Sequence, residues 1–218
     1  LCRSRKDDGG ELDDKQLRDD LVSIYGAASE TTAMALTWLW PLLHDHPEVA
    51  ARLQDEVDRV VGDGPVLPDH LPRLTYMKMV LQELLRLYPS GWMLPRLVVQ
   101  SEEVGGVVLK AGSQVLLSPY TTHRLDEFWD RPLDFDPERF APGNDRLRHR
   151  YAYFPFGGGP HTCLGQHLFY IEAPFVIGNI LRRFRPELVY AGPYVPVPAP
   201  SVRPKQRVRM LLHFRRTS

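Results

Sequence analysis

The stretch Phe156-Gly157-Gly158-Gly159-Pro160-His161-Thr162-Cys163-Leu164-Gly165 reads as a loop built to present one thiolate. Consecutive glycines let the backbone turn tightly and come close to a bulky group. From Leu164 onward the residues read as a helix. That places Cys163 just before a helix N-terminus, where backbone N–H groups and the dipole favour an anion. A lone thiolate held by glycines and flanked by an aromatic suits an axial ligand to haem iron. Two plainer readings compete with it. One makes Cys163 a buried free thiol in a glycine-rich turn. The other is zinc, with His161 and His167 close by. It fails for lack of ligands, because structural zinc wants four and the remaining histidines show no finger-like spacing.

Two segments upstream carry further polar groups in apolar surroundings. Glu83-Leu-Leu-Arg86 lies in a helical pattern from Tyr76 to Tyr88, with Thr75 as its expected cap and Pro89 as its stop. Acid and base three apart share one helix face. On an exposed face such a pair is worth a few tenths of a kcal/mol, whereas Val80, Leu84 and Leu87 define a stripe that would bury it, and a buried pair needs more partners. The other segment is Ala27-Ala-Ser-Glu30-Thr31-Thr32, inside a long helix that Asp13 and Gln16 open as a capping box. Leu17, Leu21, Tyr25, Ala28, Thr32, Leu36 and Leu39 recur at helical spacing until His46-Pro47. An acid and two β-branched residues weaken a helix centre, and threonine hydroxyls bond back to the carbonyl one turn earlier. A solvent-facing polar patch is the bland alternative.

The pattern predicts a fold that is mainly α with small β-sheets. Helices are expected over about Asp14 to Asp45, from Pro47 to before Gly62, across Glu83 and Arg86, and from the Cys163 loop to about Phe184. Strands are expected at Leu94–Val99, Glu103–Leu109 and Ser113–Leu117, the last two forming a hairpin around Ala111-Gly112. A helical turn is expected at Pro119–His123, and closing strands near Ser201 and Val208–Phe214. Pro174 should kink the final helix.

The motif Phe-x-x-Gly-x-x-x-Cys-x-Gly resembles the haem-binding signature of the cytochrome P450 family, and it is complete in Phe156, Gly159, Cys163 and Gly165. Glu83-x-x-Arg86 is similar to the family's Glu-x-x-Arg pair, and Asp136-Pro-Glu138-Arg139-Phe140 to the segment that completes it, nominating Arg139. Glu30 and Thr31 match its acid–Thr pair, with Ala28 standing where many members carry Gly. The motifs run in family order along nearly the whole chain.

The resemblance implies haem b ligated through iron by Cys163, with Phe156 packed beside it and Arg96 and His161 at the propionates. It implies that Glu30 and Thr31 guide protons to bound dioxygen, and that the Glu83 triad locks the fold without catalytic duty. His123 has two readings, haem contact and structural hydrogen-bonder. The implied activity is a monooxygenase, an oxidoreductase inserting one oxygen atom from O2 into a hydrophobic substrate such as a terpenoid, fatty acyl chain or polyketide. The pocket would be built by Ile24, Ala27 and Ala28, by residues 90–94 and by residues 199–201. Electrons would come from an external donor, either a ferredoxin with its reductase or a flavoprotein reductase. Residues 1–218 correspond to the C-terminal half of a single P450 domain, so the expectation is a chain lacking the N-terminal half. The alternative is a truncated fragment not competent alone.

Composition adds exclusions. Lys plus Arg and Asp plus Glu both number 27, so no bulk charge draws the chain to nucleic acid. No apolar run reaches membrane-spanning length, and two cysteines, Cys2 and Cys163, suit a reducing compartment, so a soluble cytoplasmic enzyme is expected, with a membrane anchor in the absent N-terminal half as the open alternative. Arg146, Arg148 and Arg150 read as a solvated loop before a docking site.

Overall fold

This computed structural model describes residues 10–144, 148–190 and 192–215; Cys2 and Arg146 fall outside them. Helix α1 spans Asp14–Asp45, and Asp13 caps it as expected, its carboxylate accepting from the Gln16 backbone N–H at 2.8 Å. Pro47 begins α2 (Pro47–Val61), which Gly62 ends with φ 64°, in the left-handed region that glycine tolerates. Helix α3 spans Thr75–Leu87. Thr75 is its first helical residue and not its cap, which corrects the expectation. The orphan N–H groups of its first turn are met instead by Glu56 of α2. Its carboxylate accepts from Tyr76 N at 2.7 Å, Met77 N at 2.8 Å and Thr75 Oγ1 at 3.2 Å. A buried helix start needs acceptors from somewhere, and a carboxylate also complements the dipole.

The strands pair differently from expectation. β1 (Leu94–Leu97) runs antiparallel to β4 (Gln114–Leu117), while β2 (Glu102–Val104) and β3 (Val107–Leu109) form their own hairpin. The stretch expected as one strand from Glu103 is therefore broken. Gly105 and Gly106 have φ 58° and 79°, the two positive values a tight two-residue hairpin turn demands. A short helix, α4 (Pro119–Thr122), follows as expected. Helix α5 (Gln166–Arg183) starts two residues after Leu164, because Gly165 takes the capping position. Pro174 lies buried inside α5, which stays α-helical on both sides of it. β5 (Phe184–Leu188) pairs with β8 (Met210–Phe214), and β6 (Pro196–Val197) with β7 (Arg203–Pro204).

The core forms where α2, α3, α5 and the second half of α1 meet. Trp38, Leu39, Leu53, Leu81, Leu84 and Ile177 are sealed from solvent there. Close approach matters at Gly178 of α5, where an added Cβ would lie 2.8 Å from Val66 Cγ2. The first half of α1 behaves otherwise: residues 14–34 include no buried residue, and Tyr25 of the expected apolar stripe is 76% exposed.

Candidate active site

The Cys163 loop is closed on itself by backbone bonds. Cys163 N–H donates to Phe156 O at 2.9 Å, and Gly157 N–H to Phe154 O at 3.0 Å. Thr162 donates to Gly159 O through both its N–H, at 3.1 Å, and its hydroxyl, at 2.8 Å. Gly157 and Gly159 sit at φ 74° and 68°, where other residues are strained. Gly158 is needed for room, since a Cβ there would lie 2.8 Å from the Tyr151 ring. The bare face of Gly165 lies against the sulfur, a Cβ there being 3.6 Å from Sγ. The result is a stiff loop at the head of α5 with Cys163 exposed and Leu164 beside it 95% exposed. Cys163 is thus exposed in this chain, where the plainer reading expected a buried thiol. Phe156 packs on Phe169 and Tyr170 of α5, with ring centroids 5.8 Å apart in both pairs. Burial pushes the Tyr170 phenol up to about 12, so it stays neutral behind the loop.

The Glu83–Arg86 pair is fully buried and has the third partner expected of it. Arg86 Nε donates to Glu83 Oε2 at 2.6 Å and Nη2 to Oε1 at 2.8 Å. Its remaining donors meet carbonyls of His123 (2.8 Å), Pro132 (2.7 Å) and Asp134 (2.9 Å), so all the N–H groups of the guanidinium have partners. Arg139 Nε reaches Glu83 Oε1 at 3.3 Å, and Asp136 N–H donates to the same oxygen at 2.9 Å. Burial pushes the Glu83 carboxyl up, against the pull of Arg86 and Arg139. His123 is the structural bonder of the two readings. The Phe154 N–H donates to its Nε2 at 2.9 Å, so the ring proton sits on Nδ1, 3.2 Å from Arg86 O. Burial is the main reason its pKa falls to about 3.

Glu30 and Thr31 lie side by side and exposed on α1. The Thr31 hydroxyl donates back to Ala27 O at 2.7 Å, the bond expected from its place in a helix. The chain leaving α3 meets this turn, for Ser90 Oγ donates to Thr31 O at 2.7 Å. Two indoles then fix the C-terminal segment expected nearby: Trp92 Nε1 donates to Ala199 O at 2.7 Å and Trp38 Nε1 to Val202 O at 2.9 Å. The three segments nominated for a pocket are thus joined by hydrogen bonds. Leu94, in the same corner, lies 3.7 Å from where a Cβ on Gly157 would stand, so β1 passes near the Cys163 loop. Arg96 is half-buried on β1 and donates to Pro95 O at 2.9 Å, while His161 ends the short turn Gly159–His161 in solvent. A concavity of about 640 Å³ lined by Val195, Val197 and residues 203–207 involves none of these groups. The roles of Glu56 and Ser90 were not visible in the sequence, because each works through a backbone group of a distant segment.

The family model described as Cytochrome P450 matches residues 1–210. The chain belongs to the cytochrome P450 family. Pentalenene oxygenase of Streptomyces avermitilis is 34% identical over 215 residues, covering 99% of this chain and 48% of its own length. Cyclooctatin synthase of Streptomyces melanosporofaciens is 36% identical over 202 residues, covering 93% and 42%. The solved structure of retinoic acid-bound cyanobacterial CYP120A1 superposes with a TM-score of 0.91 at 29% identity, over 98% of this chain and 49% of that one. The chain therefore spans about half the length of the cytochromes P450 it matches.

The residues present fit a haem. Among the described residues no three His, Cys, Asp or Glu side chains gather as a metal site. A single exposed sulfur with apolar neighbours suits a metal that brings its other ligands in its own ring. Among the described residues no helix is long and apolar enough to cross a membrane.

Proposed function

We propose that this chain carries the thiolate side of a P450 monooxygenase site, with Cys163 as the axial ligand of haem b. The observation that carries the reading is an exposed cysteine held at a helix head by left-handed glycines, on a loop closed by its own backbone hydrogen bonds. When bound, the haem supplies oxygen activation, which thiolate ligation favours by donating electron density. Phe156 backs the loop, and Gly159 and Gly165 keep side chains clear of it. Arg96 and His161 offer donors for the propionates.

Thr31 and Glu30 manage protons. Thr31 Oγ1 spends its own proton on Ala27 O, which leaves its lone pairs free to accept from a group lying over α1. Glu30, exposed beside it, brings protons in from solvent. Residues 90–94 and 199–201 hold a medium-sized hydrophobic molecule largely by burial and keep water away from it. Similarity to pentalenene oxygenase supports a terpenoid-like substrate. Electrons come from a separate ferredoxin or flavoprotein donor.

Replacing Cys163 by Ser in the haem-reconstituted protein tests the assignment. The reduced carbon-monoxide complex should lose the red-shifted Soret band of thiolate ligation, and oxygen insertion should stop. Retention of that band in Cys163→Ser would overturn it.

A further inference from the structure

We propose that Ser90 is a positioning residue for the Thr31 turn of α1, acting through the Thr31 carbonyl. The inference rests on the proton-handling role given to Thr31 above.

The route of the chain after α3 delivers Ser90 to that turn. Tyr88 ends the helix by donating its N–H to Leu84 O at 2.8 Å, and its ring stacks on Trp38 of α1, with centroids 3.8 Å apart and planes 5° apart. Trp38 and Thr31 are seven residues apart, two turns along one face of the same helix. With Pro89 buried, the chain has little freedom before Ser90, whose hydroxyl meets Thr31 O at 2.7 Å. Beyond it, Ser118 Oγ donates to Trp92 O at 2.9 Å, and the Trp92 indole is tied to Ala199 O. The corner that carries Ser90 is held at both ends.

The turn itself needs an outside restraint. Within this chain residues 14–34 include no fully buried side chain, so its core does little to hold the turn. Thr31 Oγ1 already bonds to Ala27 O, and a carbonyl with two lone pairs can take a hydroxyl in addition to its helical partner. Hydroxyls therefore pull on a carbonyl at each end of the Ala27–Thr31 turn, one from within α1 and one from Ser90. Such pulls tilt carbonyls outward and bend a helix locally. Ser90 thereby fixes the direction in which Thr31 offers its lone pairs.

Without the Ser90 hydroxyl the turn relaxes and protons reach dioxygen out of register. More dioxygen then takes up two electrons and two protons and leaves as hydrogen peroxide, in place of giving an oxygen atom to substrate. The test compares Ser90→Ala, Ser90→Thr, Thr31→Ala and the Ser90→Ala/Thr31→Ala double variant in the holoprotein. Two quantities are read: the ratio of oxygenated product to peroxide, and amide hydrogen exchange across residues 31–35 at rest. Ser90→Ala should lower the ratio about fivefold, as loss of one ordinary hydrogen bond allows, and speed exchange at the turn. The carbon-monoxide band should stay in place, and Ser90→Thr should restore both readouts. The double variant should be no worse than Thr31→Ala. A wild-type ratio in Ser90→Ala while Thr31→Ala is impaired overturns the Ser90 proposal alone, as does additivity in the double variant. A wild-type ratio in Thr31→Ala overturns the proton-handling reading and Ser90 with it. Should Ser90→Ala not fold, Ser90→Val against Ser90→Thr makes the same comparison at matched shape.

Discussion

The Arg86 knot and the Cys163 loop are both rigid, but they are finished in opposite ways. Glu83 and Arg86 are 0% exposed, and every guanidinium donor of Arg86 ends on an oxygen of this chain. The loop is equally well tied through its backbone, yet its one reactive atom and the apolar Leu164 face outward. A charge whose bonds are all internal has nothing left to offer a ligand, so the knot serves the fold. A loop that satisfies its backbone and leaves a sulfur free is arranged for something the chain does not itself contain.

That contrast can be broken most directly at the knot. Arg86→Ala leaves the buried Glu83 carboxylate with only Arg139 and the Asp136 N–H, frees the carbonyls of His123, Pro132 and Asp134, and should cost about 3–5 kcal/mol, read as a lower denaturant midpoint with loss of haem content. An unchanged midpoint, with a rate defect only, would make the knot part of the chemistry and erase the distinction.

A smaller effect should appear in acid. His123 is neutral in the fold, its pKa pushed to about 3 by burial, whereas the unfolded chain titrates near 6.5. A histidine lowered in this way contributes stability fully above about pH 6.5 and loses it as pH falls toward 3, because the unfolded state takes up the proton first. The slope is about 1.4 kcal/mol per pH unit inside that window. Protonation at Nε2 would also displace the Phe154 N–H. Unfolding curves between about pH 7 and about pH 5 should show this slope in the wild type and a flatter one in His123→Gln. Equal slopes would place the acid sensitivity elsewhere.

The smallest stability change belongs to the loop. Cys163→Ser alters an exposed side chain and should move the unfolding free energy of the haem-free protein by less than about 0.5 kcal/mol, although it removes the thiolate on which the proposed activity depends. A large destabilisation there would show that the sulfur is part of the core after all.

Much of this contrast is legible in the residues. The Cys163 loop, the Glu83–Arg86 spacing and the Glu30–Thr31 pair are local patterns, and their resemblance to the P450 motifs identifies the family. Asp13, His46-Pro47 and Gly62 mark helix ends, since caps and breakers act within a turn of themselves. Where the reading failed, a distant group had intervened or a local one was misjudged. Thr75 is the expected cap of α3, but it is the first helical residue, and the acceptor for the first amides is Glu56, 20 residues before Tyr76. The Gly105-Gly106 pair is itself a local turn signal, and it splits the strand expected over Glu103–Leu109.

The sequence by itself determined the helices and the family and nominated Cys163 as the proposed ligand, because these depend on periodicity, spacing and side-chain chemistry. Tertiary structure decided which polar groups are spent and which remain free. Hydroxyls, amides and carboxylates bond to whatever backbone lies within about 3 Å, and only folding brings Glu56 to Tyr76, Arg86 to Pro132, or Ser90 to Thr31.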